Sequence, residues 1–204
     1  MKSLPNIMTL SRVPCLFVIA ALVAYDAVWT ATASWVVFTL AGISDYLDGW
    51  LARRMGIVSN FGKLMDALTD KIFNVGLMIF LLVYPVGAAL LPNWCVFLVV
   101  VILVRELLVT GLRLVAASAN IVLSAERSGK IKTVLQIFAV GSFLFVRAAE
   151  IDWGVPAGIV EWLRYIALGS FIGAALLTVT SGIGYLVKYW GLFMGDPENF
   201  SKKQ

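Results

Sequence analysis

The chain has 204 residues, of which 61% are hydrophobic and 14% charged, with a formal net charge of +4. A soluble domain of this length could not bury so much apolar surface, so the composition indicates one integral membrane domain spanning residues 1–204. The small positive charge gives no reason to expect a nucleic acid partner, and the absence of histidine excludes catalysis by imidazole.

The hydrophobic pattern predicts an all-α bundle of six transmembrane helices, each long enough for the roughly 20 residues that a bilayer requires. The predicted spans are residues 12–28, 33–55, 61–84, 94–116, 130–148 and 157–187. Residues 3–12 are expected to form a short interfacial helix, because this opening is too polar and too long for the start of a signal peptide. Small residues in the last span are expected to permit close helix packing; they are Gly169, Gly173, Ala174, Gly182 and Gly184.

The distribution of basic residues predicts the orientation of the bundle. Three connecting segments carry only two of the 16 lysines and arginines; these segments are residues 26–34, 85–93 and 147–164. The positive-inside rule therefore places the opposite side, with both termini, in the cytoplasm. Cys15 and Cys95 then lie near opposite ends of their spans, so we expect two small buried hydrophobic side chains and no disulfide.

Four carboxylates interrupt the apolar pattern between residues 45 and 70: Asp45, Asp48, Asp66 and Asp70. Each would cost roughly 2.5–3.5 kcal/mol at the centre of a membrane helix, so a cation must offset them. The first two are three residues apart and the last two four apart, so on helices each pair projects from one face. Residues 54–62 contain two glycines and an asparagine, which allow a short turn between antiparallel helices. This hairpin would bring all four carboxylates together.

An all-oxygen cluster of this kind favours hard divalent cations such as Mg²⁺ or Mn²⁺ over zinc. Two such ions about 3.5–4 Å apart form the clamp used for displacement at phosphorus. Helix rise places both acidic pairs at one level, about 8–14 Å below the cytoplasmic edge of the membrane core. The alternatives are that the carboxylates form salt bridges or a solvated loop, or that they are the transport site of a divalent-cation transporter.

Basic residues are predicted near the same level. Arg105, with Glu106 beside it, reaches that depth in the fourth span, where an intramembrane arginine suggests a function. Its alternative role is to neutralise one of the aspartates for structure alone. Four further residues could gather at the cavity mouth and bind a second anion, or could only anchor the chain at the membrane surface. These residues are Arg113, Arg127, Lys130 and Lys132.

The acidic stretch resembles the complete signature of the CDP-alcohol phosphotransferase family. The matching pattern is Asp45-x-x-Asp48-Gly49-x-x-Ala52-Arg53, eight residues, Gly62, three residues, Asp66, three residues, Asp70. Three more segments resemble bacterial phosphatidylglycerophosphate synthases within that family; they begin at Pro5-Asn6, Arg105-Glu106 and Gly129-Lys130 and extend the similarity over nearly the whole chain. Two departures stand beside the acidic residues, since Ala67 replaces a frequent proline and Thr69 a common alanine.

The resemblance implies transfer of a phosphatidyl group from CDP-diacylglycerol to glycerol 3-phosphate, with release of CMP, by a homodimer in the bacterial inner membrane with its active site facing the cytoplasm. The four aspartates would hold two Mg²⁺ or Mn²⁺ ions, and Asp70 would act as the base. The implied CDP-diacylglycerol site consists of Gly49, Ala52, Arg53 and Gly62. The implied acceptor phosphate site consists of Arg105, Arg113, Lys130 and Lys132. Other acceptors within the family are inositol phosphate, serine and phosphatidylglycerol.

Overall fold

The computed structural model describes residues 4–25, 27–55, 60–83, 92–118 and 127–190. Within these ranges the side chains are described except those of residues 4–11, 48–53, 55, 60–64, 66–67, 117–118, 127–128 and 130. The ranges contain six helices and no strand, which confirms the predicted all-α class. The helices are α1 (Leu4–Ala24), α2 (Thr30–Met55), α3 (Asn60–Val83), α4 (Cys95–Ser118), α5 (Arg127–Ile151) and α6 (Ala157–Lys188).

The N-terminal segment differs from its prediction as a separate interfacial helix. Helix α1 runs without interruption from Leu4 to Ala24, so the opening and the first span form one element. Pro5 lies in the first turn, where its missing N–H would have no partner within the helix in any case. Pro14 lies further inside α1, and the helix continues through it. No residue between these prolines is a strong helix breaker, so nothing local separates the two parts.

In the part of the chain that the structure describes, three helical segments are long and apolar enough to cross a membrane: Cys95–Ala116, Ile131–Ile151 and Ala157–Lys188. Helix α1 contributes a shorter apolar stretch, Arg12–Ala24. Helices α2 and α3 are of comparable length, but the charged residues of the acidic motif interrupt their apolar sequence. Large apolar side chains point outward along the bundle; examples are Phe17, Phe97, Leu107, Trp162 and Ile183. These features indicate a membrane protein whose outer surface is apolar.

The helices enclose one main core to which all six contribute. Helix α1 packs against both α2 and α3, α5 packs against α2 and α6, and α4 packs against α3 and α6. The core includes Ile19, Phe38, Leu77, Ile102, Leu144 and Phe171. Between α5 and α6, a Cβ added at Gly173 would lie 3.3 Å from Leu135 Cδ2, which bears out the predicted role of this glycine in close packing. The same prediction is wrong for Gly169 and Gly184, because a Cβ added at either would meet no atom within 4 Å. Because α1 contacts both helices of the acidic motif, its side chains can reach between them.

Asp152, in the turn after α5, holds the beginning of α2. Its Oδ1 accepts a hydrogen bond from the Trp29 backbone N–H at 3.1 Å. Its Oδ2 accepts from the backbone N–H and the hydroxyl of Thr32, each at 2.6 Å. Trp29 has a φ of 67°, which is unusual for a residue other than glycine. The carboxylate therefore satisfies the Thr32 N–H in the first turn of α2 and the Trp29 N–H just before it, and it fixes a strained approach to the helix that carries Asp45.

Replacing Asp152 by alanine should lower the stability of the protein, because it removes an acceptor of three hydrogen bonds at a helix N-terminus. Loss of such a cap typically costs about 0.5–2 kcal/mol. The measurement is the thermal unfolding midpoint of the purified protein in detergent. Glu161→Ala is the control, since Glu161 is exposed and accepts a hydrogen bond from its own helix neighbour Tyr165. Equal midpoints for the two variants would contradict the capping role.

Candidate active site

The two halves of the acidic motif meet at one guanidinium group. Asp45 lies on α2 and Asp70 on α3, and both contact Arg12 of α1. Arg12 Nη2 forms an ion pair with Asp45 Oδ1, and Arg12 Nη1 lies 3.6 Å from Asp70 Oδ1. The arginine is buried, with 8% of its surface exposed, whereas the carboxylate side chains are 42% and 34% exposed. The structure thus places these two carboxylates around a shared positive charge, on a side that remains open.

The other members of the motif lie on the same two helices, and their side chains fall outside the described set. Asp48 follows Asp45 by three residues in α2, and Asp66 precedes Asp70 by four in α3, so each pair shares a helix face. The remaining motif positions are Gly49, Ala52 and Arg53 in α2 and Gly62 in α3. Among the described side chains, no three acidic residues or cysteines gather at one point.

Asp70 is held in place by a buried asparagine one helical turn away. Asn74 Nδ2 donates a hydrogen bond to Asp70 Oδ1 at 3.2 Å, and Asn74 is 3% exposed. The other amide atom, Asn74 Oδ1, is buried and has no hydrogen-bond partner among the described residues. Thr69 donates its hydroxyl to the Met65 carbonyl at 2.7 Å, so this departure from the family pattern is accommodated within α3.

A second charged group lies where α4, α5 and α6 meet. Glu106 of α4 is buried and accepts hydrogen bonds from Lys132 of α5 and, at 3.2 Å, from Nη1 of Arg105. Lys132 is also buried, and Asp70 lies near enough to act on its charge. Two basic side chains therefore share one carboxylate, and this cluster lies close to the acidic motif.

Helix α6 supplies the surface on which Arg105 lies. Arg105 Nη2 donates to the Ser181 hydroxyl at 3.2 Å. A Cβ added at Gly182 would lie 2.6 Å from Arg105 Cγ, so only glycine leaves room for this side chain in the present arrangement. The prediction that Gly182 permits close packing is confirmed, and the group that packs against it is the Arg105 side chain. One turn earlier on α6, Thr178 accepts a hydrogen bond from Gln136 Nε2 at 3.0 Å and ties α5 to α6.

Arg113 lies further along α4, against a pair of tyrosines. Its Nε donates to the Tyr185 hydroxyl at 3.3 Å, and its guanidinium carbon lies 5.5 Å from the centre of that ring. Tyr185 is buried, and its ring centre lies 4.6 Å from that of Tyr189. Arg113 itself is exposed, and its terminal nitrogens have no hydrogen-bond partner among the described residues. The tyrosine holds the guanidinium while leaving those nitrogens available.

The structure thus distributes the predicted basic residues over two places. Arg105 and Lys132 share Glu106, whereas Arg113 contacts Tyr185. Lys130 lies in the first turn of α5, and its side chain is outside the described set, as is that of Arg127.

Four residues of this site had no role assigned from the sequence: Arg12, Asn74, Ser181 and Tyr185. Arg12 is the one among them with a usable signal, since it is a charged residue at the start of an apolar stretch. The others resemble ordinary helix and membrane-interface residues in sequence.

Comparison with known proteins identifies the family. Residues 2–188 match the family described as CDP-alcohol phosphatidyltransferase. A CDP-diacylglycerol–glycerol-3-phosphate 3-phosphatidyltransferase of Bacillus subtilis is 34% identical, over 93% of this chain and 96% of that protein. A protein of Arabidopsis thaliana named for the same activity is 32% identical, over 94% of this chain and 82% of that protein. Another, from Rickettsia typhi, is 31% identical, over 91% of this chain and 96% of that protein. The chain therefore belongs to the CDP-alcohol phosphatidyltransferase family and is a transferase.

Proposed function

We propose that this enzyme transfers the phosphatidyl group of CDP-diacylglycerol to glycerol 3-phosphate, giving phosphatidylglycerophosphate and CMP. The relatives named for this reaction match the chain over nearly its whole length. The observation that carries the proposal is the shared contact of Asp45 and Asp70 with Arg12, because it joins the two halves of the acidic motif at one cationic position. The basic side chains around Glu106, Arg105 and Lys132, lie beside it and would bind the acceptor phosphate.

A divalent metal fits the residues of the acidic motif, and enzymes of this family generally depend on one. Asp45 and Asp70 already share a positive partner, and carboxylate oxygens are the ligands that Mg²⁺ and Mn²⁺ prefer. Asp45, Asp48, Asp66 and Asp70 would hold two such ions. Bound there, the ions would neutralise the diphosphate of the donor and stabilise the charge that develops on departing CMP.

The donor nucleotide would lie along the helices that carry the motif. Gly49 and Gly62 would allow its close approach to the backbone, and Ala52 keeps the intervening face small. Arg53 would pair with a phosphate oxygen. The acyl chains of the donor would remain in the bilayer, against the apolar outer surface of the bundle.

Asp70 is the residue we assign as the base. Its carboxylate, oriented by Asn74, would accept the proton of the acceptor hydroxyl while the hydroxyl oxygen attacks the phosphorus that carries diacylglycerol. The bond from that phosphorus to the bridging oxygen breaks, and CMP departs with the electron pair. The nearness of Asp70 to Lys132 supports this assignment, since it sets the base beside the proposed acceptor site.

The acceptor phosphate would be bound by Arg105, Arg113, Lys130 and Lys132. Glu106 offsets one of the two charges of Arg105 and Lys132, and Arg113 has terminal nitrogens that can contact phosphate oxygens in pairs. Serine or a lipid acceptor would bring no free phosphate monoester to this group. Inositol phosphate would satisfy the same charge requirement, so the size of the polyol distinguishes these two acceptors.

We also propose how the chain is placed in the membrane. Residues 1–204 would form one domain with six spans and both termini in the cytoplasm, within the bacterial inner membrane. The basic side of the bundle then faces the compartment that contains glycerol 3-phosphate. A homodimer is expected from the family resemblance.

The first test is a screen of acceptors. Purified protein supplied with CDP-diacylglycerol and Mg²⁺ should release CMP with glycerol 3-phosphate at least about tenfold faster than with inositol phosphate, serine or phosphatidylglycerol, because a site built for one substrate rejects others strongly. Excess chelator should abolish release. Equal rates for two acceptors would contradict the assigned acceptor. Metal flux into liposomes without nucleotide, and no CMP release, would favour a transporter.

Asp70→Asn should lower kcat by at least about a hundredfold, the usual contribution of a general base. The amide keeps the shape of the side chain, so binding of CDP-diacylglycerol should remain measurable. Single-turnover CMP release and equilibrium binding of the donor provide the two readouts. Thr69→Ala is the matched neighbour, and it should retain most of the activity because the Thr69 hydroxyl bonds within its own helix. A kcat for Asp70→Asn near that of the control would remove Asp70 from the role of base.

Arg113→Ala should raise the KM for glycerol 3-phosphate by about tenfold or more, since hydrogen bonds to charged groups contribute roughly 1.5–3 kcal/mol. The KM for CDP-diacylglycerol should change little. Tyr185→Phe removes the hydroxyl that holds Arg113 and should give a smaller change in the same direction. Steady-state kinetics with each substrate varied in turn separate these effects. Equal changes in both KM values would place Arg113 outside the acceptor site.

A further inference from the structure

Arg12 contacts both halves of the acidic motif, and it comes from a third helix. It lies on α1, which packs against α2 and α3, and its guanidinium reaches Asp45 on one and Asp70 on the other. The side chain is 10% exposed, so it is committed to this position and is not a mobile surface group.

A guanidinium and a divalent cation compete for the same carboxylate oxygens. Arginine presents its donors in a rigid planar fork that matches carboxylates. A metal ion binds the same oxygens at closer range and with strict geometry. A cation bound by both Asp45 and Asp70 must therefore draw Arg12 away from at least one of them.

A buried arginine that is drawn away from one of its carboxylates is stabilised by a new anionic partner, because lost charge compensation is costly in a buried position. The proposed function brings such a partner to this point, namely the diphosphate of the donor. Guanidinium groups bind phosphate oxygens in pairs, as they bind carboxylates. Arg12 can thus exchange one anion for another with little displacement along α1.

We infer that Arg12 is a positioning residue that couples metal binding to donor binding. It holds Asp45 and Asp70 before the metal binds and passes to the donor diphosphate when metal and donor bind together. This inference rests on the proposed function. Its thermodynamic consequence is that Arg12 weakens metal binding alone and favours binding of metal and nucleotide as a pair.

A purely structural role for Arg12 predicts a different result. If the ion pairs only lock α1 to α2 and α3, their loss loosens the hairpin and weakens the binding of every ligand. If Arg12 competes with the metal, its loss strengthens metal binding and weakens nucleotide binding. The opposite signs separate the two roles.

The experiment measures Mn²⁺ binding to the purified full-length protein in detergent, from the electron paramagnetic resonance signal of free Mn²⁺, with and without CDP. Without CDP, Arg12→Gln should bind Mn²⁺ about tenfold more tightly than the parent protein, within the usual range of coupling between sites. CDP should tighten Mn²⁺ binding in the parent and do so distinctly less in Arg12→Gln. Arg12→Lys keeps the charge without the fork and should give an intermediate Mn²⁺ affinity.

Arg164→Gln is the matched control. Arg164 is likewise paired with a carboxylate, Glu150, but it lies in the first turns of α6, away from Ser181 and Tyr185. Its replacement should leave Mn²⁺ binding unchanged. Equal or weaker Mn²⁺ binding by both Arg12 variants would overturn the coupling role and leave the proposed function intact. Absence of Mn²⁺ binding by the parent protein would overturn both.

Discussion

The structure depends on the cost of placing carboxylates inside an apolar helix bundle. A charged group in such surroundings is tolerated only with a partner of opposite charge and suitable geometry. Asp45 and Asp70 have this partner in Arg12, and Glu106 has it in Lys132 and Arg105. Each of these ion pairs joins two different helices, except the pair of Arg105 and Glu106, which are neighbours in α4. The same interactions that make the charges tolerable therefore fix the relative positions of the helices.

The acidic and the basic residues of the site lie on different helices. The acidic motif lies on α2 and α3 with α1 packed against both, whereas the basic group lies on α4, α5 and α6. The two halves meet where α3 packs against α4 and α5, and there Asp70 lies near Lys132. At the far end of the bundle, Asp152 ties the start of α2 to the turn between α5 and α6. A transfer reaction needs such a boundary, since a metal-bound diphosphate and a bare phosphate require surroundings of opposite charge.

The sequence predicted those features that depend on local spacing. Six helices followed from apolar runs, and the meeting of Asp45 with Asp70 was expected from pairs at helical spacing on either side of a turn. Contacts distant in sequence were not predictable. Arginine at the start of a span usually extends to the membrane surface, so the inward course of Arg12 required knowledge of α1 packing. Tyr185 resembles any interfacial aromatic residue, and the cap of α2 by Asp152 joins positions 120 residues apart.

The balance of charge at the site is the basis of the coupling that we infer between the metal and the donor diphosphate. The ion pairs described above involve three basic residues and three carboxylates: Arg12, Arg105, Lys132, Asp45, Asp70 and Glu106. Under the inferred coupling, metal ions alone would draw Arg12 away from Asp45 or Asp70, and a diphosphate alone would lie beside both carboxylates. Both together would offset these charges, because the carboxylates would face the metal and the guanidinium would face the phosphates. In a medium of low dielectric constant this joint change would be favoured over either single change, so under the inferred coupling the site would reach its reactive arrangement only with the anion to be cleaved already in it.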